Sequence, residues 1–419
     1  MSEVIGTGVA AGALSDKQVE DVVARGLAAL PLDGRRVLVL IPDGTRTFPG
    51  KLFFRLVVEQ LRGRAKAIDF LVALGTHPPM SEAALQALVG ITAEEKATKY
   101  KDVRLLNHAW DNPAALAHVG DIPADDVQRL SSGRLNMDVP VRLNGLVLEY
   151  DHLLVCGPVF PHEVVGFSGG NKYFFPGIAG ADIIDVTHWI GALETSYEII
   201  GVKETPVRRV IDRAAACIPR PKSAICSVVT HDGVAGVYVG DTKAAWSEAA
   251  DLSSQRHVIW VDRPYKQVLA VLPAMYDEVW VGAKGMYKTE PAIADGGEVI
   301  IYAPHLHEVS VVHGKLIKQI GYHVRDYFTA QWDKFKHIPW GVLAHSTHVK
   351  GGGTFVDGVE KPRINVTLAT GISEAECKAI NLGYRDHRTI DPKSFANRES
   401  EGVLLVPKAG EYLYRVKPT

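Results

Sequence analysis

Residues 37–46 read Val-Leu-Val-Leu-Ile-Pro-Asp-Gly-Thr-Arg: an apolar run, Val37–Ile41, that stops at Pro42-Asp43-Gly44. A short apolar run rich in β-branched residues and closed by turn formers predicts a buried strand. Ala67–Leu74 repeats the form and is closed by Gly75-Thr76-His77-Pro78-Pro79. Leu146–Phe160 contains a third strand, ending at Pro161-His162. After the second run Ser81–Val89 predicts a helix, and Thr92 with Glu95 forms a capping box for another. Buried strands followed by helices predict a parallel sheet flanked by helices. In such sheets ligands bind beyond the carboxyl ends of the strands. Three polar clusters fall there: Asp43-Gly44-Thr45-Arg46, Gly75-Thr76-His77, and His162 with the glycine-rich stretch behind it.

The pattern restarts late in the chain. Glu278–Val281, Val299–Tyr302, Trp340–His345 and Arg363–Leu368 predict strands, Val311–Gln331 contains helical stretches, and Ser373 with Glu376 caps a further helix. The expected fold class is therefore α/β, with two α/β domains carrying mainly parallel sheets. The expected domains are 1–262 and 263–393, with the tail 394–419 returning to the first. A cleft between domains is a favoured ligand position, so the active site is expected there.

Composition narrows the function. The 419 residues are 47% apolar and 22% charged, as in ordinary globular proteins. A net charge of −2 supplies no electrostatic footprint for nucleic acid or an anionic membrane. No apolar run approaches the roughly 20 residues of a membrane helix, and Met1–Asp16 lacks the pattern of a secretory signal. Cys156, Cys217, Cys226 and Cys377 are scattered without a C-x-x-C pair, which predicts reduced thiols and a cytoplasmic location.

The richest chemistry lies in residues 161–191, PHEVVGFSGGNKYFFPGIAGADIIDVTHWIG. His162 precedes Lys172, which follows Ser168-Gly169-Gly170-Asn171, and His188 comes after it. Small residues around a lysine let backbone approach a bound group, and histidines near neutral pH serve as metal ligands or proton carriers. Read alone, His162 is a satisfied histidine at a strand end and Lys172 a solvated loop lysine. The aromatic run Tyr173-Phe174-Phe175 turns the lysine inward instead. Asp185 and His188 share a helix face, an arrangement either structural or suited to orienting a metal ligand. Arg46 is a surface arginine or a bidentate clamp for a carboxylate. His162-Glu163-Val164-Val165-Gly166 lacks the second histidine of H-E-x-x-H, and Gly169-Gly170-Asn171-Lys172 lacks phosphate-loop spacing. His305-Leu306-His307 and His345-Ser346-Thr347-His348, the latter placed across a turn, are weaker metal candidates.

On these motifs the chain resembles the lactate racemase family, the racemases and epimerases that use a nickel-pincer nucleotide. The likeness runs from Asp43-Gly44-Thr45-Arg46 through His345-Ser346-Thr347-His348, and Phe167-Ser168-Gly169-Gly170-Asn171-Lys172 with its spaced histidines is the specific part. The resemblance implies a nicotinate-derived mononucleotide (pyridinium-3,5-bisthiocarboxylic acid mononucleotide nickel) attached to Lys172 and cradled by Gly169, Gly170, Asp43 and Thr45. It implies His188 as the protein ligand to nickel and His77 and His162 as paired proton acceptors and donors. Arg46 and Lys284 would hold the carboxylate and reacting oxygen of a small 2-hydroxy acid, and Trp340 is a pocket aromatic. The partners implied are the substrate and the cofactor-biosynthesis enzymes, with neither nucleic acid nor membrane. Val281 stands where lactate enzymes of the family are expected to carry glutamine, which opens the substrate to longer 2-hydroxy acids. Two other readings stand beside this one: a Schiff-base aldolase or dehydratase using Lys172, and a non-catalytic relative that binds nucleotide or nickel.

Overall fold

The computed structural model describes residues 3–417. It divides into two compact units. The first takes the chain up to Phe160, then Phe167–Ile184 and Arg208–Arg256; the second takes Pro161–Gly166, Asp185–Val207 and the described chain from His257 on.

The first unit is built on a seven-stranded sheet. Its strands are β1 (Ile5–Gly8), β2 (Arg36–Ile41), β3 (Ala67–Val72), β4 (Leu105–Asn107), β5 (His152–Pro158), β6 (Lys222–Thr230) and β7 (Gly233–Asp241). The order is β1-β7-β6-β5-β2-β3-β4. The centre, from β6 to β4, is parallel, while β7 pairs antiparallel with both β6 and β1. Every residue of Val37–Ile41 is buried, so the continuous apolar run is that of a strand covered on both faces. Each such Val or Leu contributes roughly 1.5–3 kcal/mol relative to an exposed position. The helices Asp16–Ala29 and Gly50–Leu61 pack into the same apolar core. Ser15 and Gln18 close a reciprocal capping box on the first, and Thr92 and Glu95 close the expected one on the helix Ala93–Ala97. Ser81 caps the helix Glu82–Val89.

The second unit has a five-stranded, all-parallel sheet. Its strands are β8 (Tyr265–Val271), β9 (Ile293–Ala303), β10 (Asn365–Thr370), β11 (Gly383–Tyr384) and β12 (Val403–Val406), in the order β11-β10-β9-β8-β12. The restart of the α/β pattern and the mainly parallel sheets are thus as expected.

Four expectations are corrected. Glu278–Val281 is not a strand: Val279–Gly282 is a helical turn that runs into a second, Lys284–Tyr287. Trp340–His345 opens the helix Trp340–Lys350, whose residues from Val342 onward are buried on every side. A short apolar run with no polar face has the same sequence pattern as a buried strand, which accounts for both differences. The tail does not return to the first unit: β12 pairs with β8, and Leu413–Val416 pairs with Val258–Val261. The boundary expected at 262/263 falls at Arg256/His257, and the region expected to hold both Lys172 and His188 is split, Lys172 in the first unit and His188 with His162 in the second. The reason is packing, because Trp189, Ala192 and Ile200 belong to the second unit's apolar core.

His152 in β5 shows how burial of an imidazole enters stability. Its Nε2 bonds to Ser223 Oγ at 3.0 Å, and burial, reinforced by the charges of Arg35 and Lys222, pushes its pKa down to about 4. A histidine depressed in the folded state stabilises above its unfolded value near 6.5 and loses that contribution as pH falls towards 4. Lowering the pH from 7 to 5 should therefore cost roughly 2 kcal/mol through this residue alone. Denaturant unfolding of His152→Gln should lose correspondingly less over that interval than the parent chain.

Candidate functional site

In the first unit three loops leave the carboxyl ends of neighbouring parallel strands β5, β2 and β3. Pro42, Asp43, Arg46, Ala73, Pro158, Phe160, Ser168, Gly169, Lys172, Tyr173 and Gly177 line one cleft there. Asp43 is buried at 7% exposure and carries the polar organisation. Its Oδ1 accepts from the Thr45 backbone N–H at 3.1 Å and from Thr45 Oγ1 at 2.6 Å, while Thr45 Oγ1 accepts from Arg46 Nη1. Its Oδ2 is hydrogen-bonded to His77 Nδ1. Burial by itself would raise the Asp43 carboxyl. The hydrogen bond from His77, the Arg46 charge and Thr45 outweigh it and hold the carboxyl well below the usual range.

A carboxylate on Nδ1 fixes the tautomer of His77: the proton sits on Nδ1 and the lone pair on Nε2. His77 is therefore set as a proton acceptor. Its loop is tied to the lysine loop, since Gly75, at φ 57°, donates its N–H to Gly177 O at 2.9 Å.

Lys172, half-buried, sits in the short 3-10 turn Gly170–Tyr173. Two buried groups clamp the backbone just ahead of it. Trp246 Nε1 donates to Ser168 O at 2.8 Å; Arg208 donates to Gly169 O at 3.2 Å and to Phe167 O, with its guanidinium 4.1 Å from the Trp246 ring centroid. The glycines serve this packing. Gly169 has φ 83° and lines the cleft, whereas a Cβ on Gly170 would meet Trp246 at 2.8 Å, so Gly170 faces the clamp rather than the cleft. On β5, a Cβ on Gly157 would lie 1.7 Å from the Tyr173 hydroxyl. Nothing local in the sequence marks Arg208 or Trp246 as buried groups that hold this loop.

The other residues singled out in the sequence lie in the second unit. His162 is buried; its Nδ1 accepts from the Val164 N–H at 3.2 Å and lies 3.3 Å from Glu163 Oε2. A backbone donor on Nδ1 puts the neutral ring's proton on Nε2. His162 is thus set as a donor where His77 is set as an acceptor. His188 stands half-buried on the helix Ala181–Glu194. Gly191 of that helix packs against the His162 loop, where a Cβ would sit 3.0 Å from Val164 O. Asp185 accepts from the Gly341 N–H at 2.9 Å and so caps the helix Trp340–Lys350. Trp340 joins an aromatic cluster with Trp332 and Trp189, centroids 5.4 and 6.5 Å away. Lys284, 9% exposed, lies with Nζ 4.5 Å from the Tyr276 ring centroid.

His345 and His348 are on one helix, not across a turn. His305 bonds through Nε2 to Tyr276 O at 3.0 Å, and His307 is packed against Gly371. Among the described residues no three His, Cys, Asp or Glu side chains gather as a metal cage, and no helix is long and apolar enough to cross a membrane.

The clamp sets the first expected outcome at the site. Arg208→Met removes the guanidinium donors to Phe167 O and Gly169 O, the latter keeping only the Lys172 N–H, at roughly 1–3 kcal/mol for a buried carbonyl left unpaired. The variant should melt at lower temperature and be cut by protease within residues 167–173, where the parent chain resists.

Comparison with known proteins gives one consistent identification. The family model for the lactate racemase N-terminal domain matches residues 16–199. The lactate racemase of Thermoanaerobacterium thermosaccharolyticum is 25% identical over 307 residues, 68% of this chain and 65% of that protein, so the match spans less than two thirds of the relative's length. A crystal structure of a protein from Thermotoga maritima superposes with a TM-score of 0.88 at 32% identity, covering 97% of this chain and 99% of that one. The apoprotein structure of the T. thermosaccharolyticum racemase superposes at 0.72 with 20% identity over 96% and 94%, a likeness of fold. The N-terminal match, the curated relative and the shared fold agree with the motif around Lys172: the chain belongs to the lactate racemase family.

Proposed function

We propose that this protein is a racemase or epimerase that inverts the α-carbon of a 2-hydroxy acid, using a nickel-pincer nucleotide attached to Lys172. The observation that carries the reading is the Asp43–His77 pair, an imidazole held with Nε2 as acceptor in the loop next to the lysine. The residues fit the group. Lys172 offers an amine for the covalent link, Gly169 and Gly177 line the same cleft and let backbone come close, and Arg46 supplies a cation. His188 would be the single protein ligand to nickel. When bound, the nucleotide supplies a reversible acceptor for a hydride.

The protein's own part is positioning and proton transfer. The α-hydrogen of a 2-hydroxy acid is a poor acid, because its loss as a proton adds negative charge beside a carboxylate. Leaving as hydride while a base removes the hydroxyl proton avoids that charge and gives a planar 2-keto acid. Return of the hydride to the opposite face inverts the centre. His77 Nε2 takes the hydroxyl proton of one enantiomer, and His162 returns a proton when the other is formed. Arg46 and Lys284 hold the carboxylate while the rest of the molecule turns. The substrate is lactate or a longer 2-hydroxy acid. Val281 is packed in the apolar core of the second unit, where it offers a carboxylate nothing. The reading also places the enzyme in the cytoplasm, supplied by cofactor-synthesis enzymes.

The test is intact mass and metal content of protein co-produced with those enzymes. A nucleotide-sized adduct on Lys172, one nickel per chain and α-hydrogen exchange with a 2-hydroxy acid are expected. An unmodified lysine beside an active control racemase would sink the proposal, and a borohydride-trapped adduct would move it to Schiff-base chemistry. Asp43→Asn should lower kcat on the order of 10²–10⁴-fold, the range of a lost general base, with the adduct retained. Arg46→Met and Lys284→Met, if they hold one carboxylate, should combine less than additively in kcat/KM.

A further inference from the structure

The second unit carries a cleft that the proposed reaction does not use. It holds about 520 Å³ and lies at the amino-terminal edge of the five-stranded sheet. Among its lining residues, Pro264 precedes β8, Ile293 opens β9 and Arg363 stands just ahead of β10. Lys284, assigned to the proposed chemistry, comes instead after the carboxyl end of β8. Parallel sheets bind their substrates beyond the carboxyl ends of strands, so a cleft at the opposite edge is a different site.

Two arginines line this cleft, and they are held differently. Arg363 is anchored: Nη1 donates to Ile293 O at 2.8 Å and to Asp295 Oδ1 at 3.0 Å, and Nη2 donates to Glu290 O at 2.7 Å. Its guanidinium lies 4.7 Å from the Tyr197 ring centroid, so it forms a fixed positive wall. Arg415 is half-buried and donates from Nη2 to Tyr197 O at 2.9 Å. Among the described residues its Nε and Nη1 have no partner, and no carboxylate pairs with it. Burial lowers its pKa against the smaller opposing pull of Tyr197 and Glu198, as expected of a cation short of a counter-ion. Trp260, 44% exposed, is the register partner of Arg415 where Val258–Val261 runs parallel to Leu413–Val416. Register partners put their side chains on one face of a sheet, so the indole and the guanidinium line the cleft side by side. Pro264, Pro291 and Ile293 add apolar walls.

We propose that this cleft is a second ligand site, which takes a flat aromatic ring bearing a phosphate or carboxylate, of about mononucleotide size. The unused edge of the Arg415 guanidinium matches two oxygens of such an anion. Trp260 offers an exposed face on which the ring stacks. The volume falls within the range of small-molecule pockets, roughly 300–1,000 Å³, and a bare phosphate would leave most of it empty. Two guanidiniums stand against one lining carboxylate, Asp295, which is already bonded to Arg363, so the cleft selects against cations. Binding here needs no racemase chemistry and stands or falls apart from it.

The experiment is calorimetric binding of AMP, indole-3-acetate, adenosine and inorganic phosphate to the full chain, in parent, Trp260→Ala, Arg415→Met and Arg46→Met forms. At least one of the two aromatic anions should bind with a Kd of about 1 mM or below. AMP alone would identify the anion as phosphate, and indole-3-acetate alone as carboxylate. Adenosine and inorganic phosphate should each bind about tenfold more weakly, since each lacks half of the ligand. Trp260→Ala should lose about tenfold on the aromatic anion and nothing on phosphate. Arg415→Met should lose about tenfold on the aromatic anion and nothing on adenosine. Trp260 is exposed, so its variant keeps the test open even if Arg415→Met fails to fold. No binding of either aromatic anion, or binding unchanged in Trp260→Ala, would overturn the site. Binding lost in Arg46→Met alone would put the ligand in the cleft at Lys172 and overturn it as well. A dimer in sedimentation that Trp260→Ala splits would give the exposed Ile259–Trp260 face to a second copy of the chain, again against the proposal.

Discussion

A buried carboxylate has to be answered by donors, and in the first unit Asp43 is answered by Thr45 and by His77, with Arg46 behind Thr45. Leaving the ion unanswered at that depth would cost several kcal/mol. The need to satisfy one charge therefore fixes the tautomer of an imidazole and the place of a guanidinium together. The Asp43 side chain turns back on its own chain, taking the N–H and hydroxyl of Thr45 two residues on. Adjacent parallel strands do the rest, because β2 and β3 deliver the two partners to the same edge of the sheet.

That edge was legible in the sequence for a physical reason. Val37–Ile41 and the run from Ala67 are buried on both faces, so their apolar signal is uninterrupted, and the turn residues that end them mark the ligand side. Lys172 was legible because glycines are required where its loop meets Val159 and Trp246. What stayed hidden depends on partners far away in the chain. Arg208 looks like any arginine on an amphipathic helix, yet it is buried and holds the loop from below. The segment at 340 gives no helical signal because a fully buried helix has no polar stripe to betray its period. Placing His188 in the second unit follows from where Trp189 packs, which no local pattern announces.

The two histidines assigned to proton transfer are held by opposite means. His77 has an anion on Nδ1, and His162 has a backbone N–H there with Glu163 alongside. A reaction that runs in both directions with mirror-image substrates needs one group ready to accept and another ready to give. On the proposed reading, two different environments for the same residue type would meet that need.

The closeness of Gly157 to Tyr173 has a consequence for how this family can drift. With less than the width of an atom between a Cβ at 157 and the phenol oxygen, position 157 is not free to vary while Tyr173 stands. A side chain at 157 demands a smaller residue at 173, beside the lysine, and the intermediate with only the first change would displace the turn that presents Lys172. The order of change is therefore constrained, and a designer who wishes to reshape the floor of the cleft must shrink residue 173 before placing a side chain at 157.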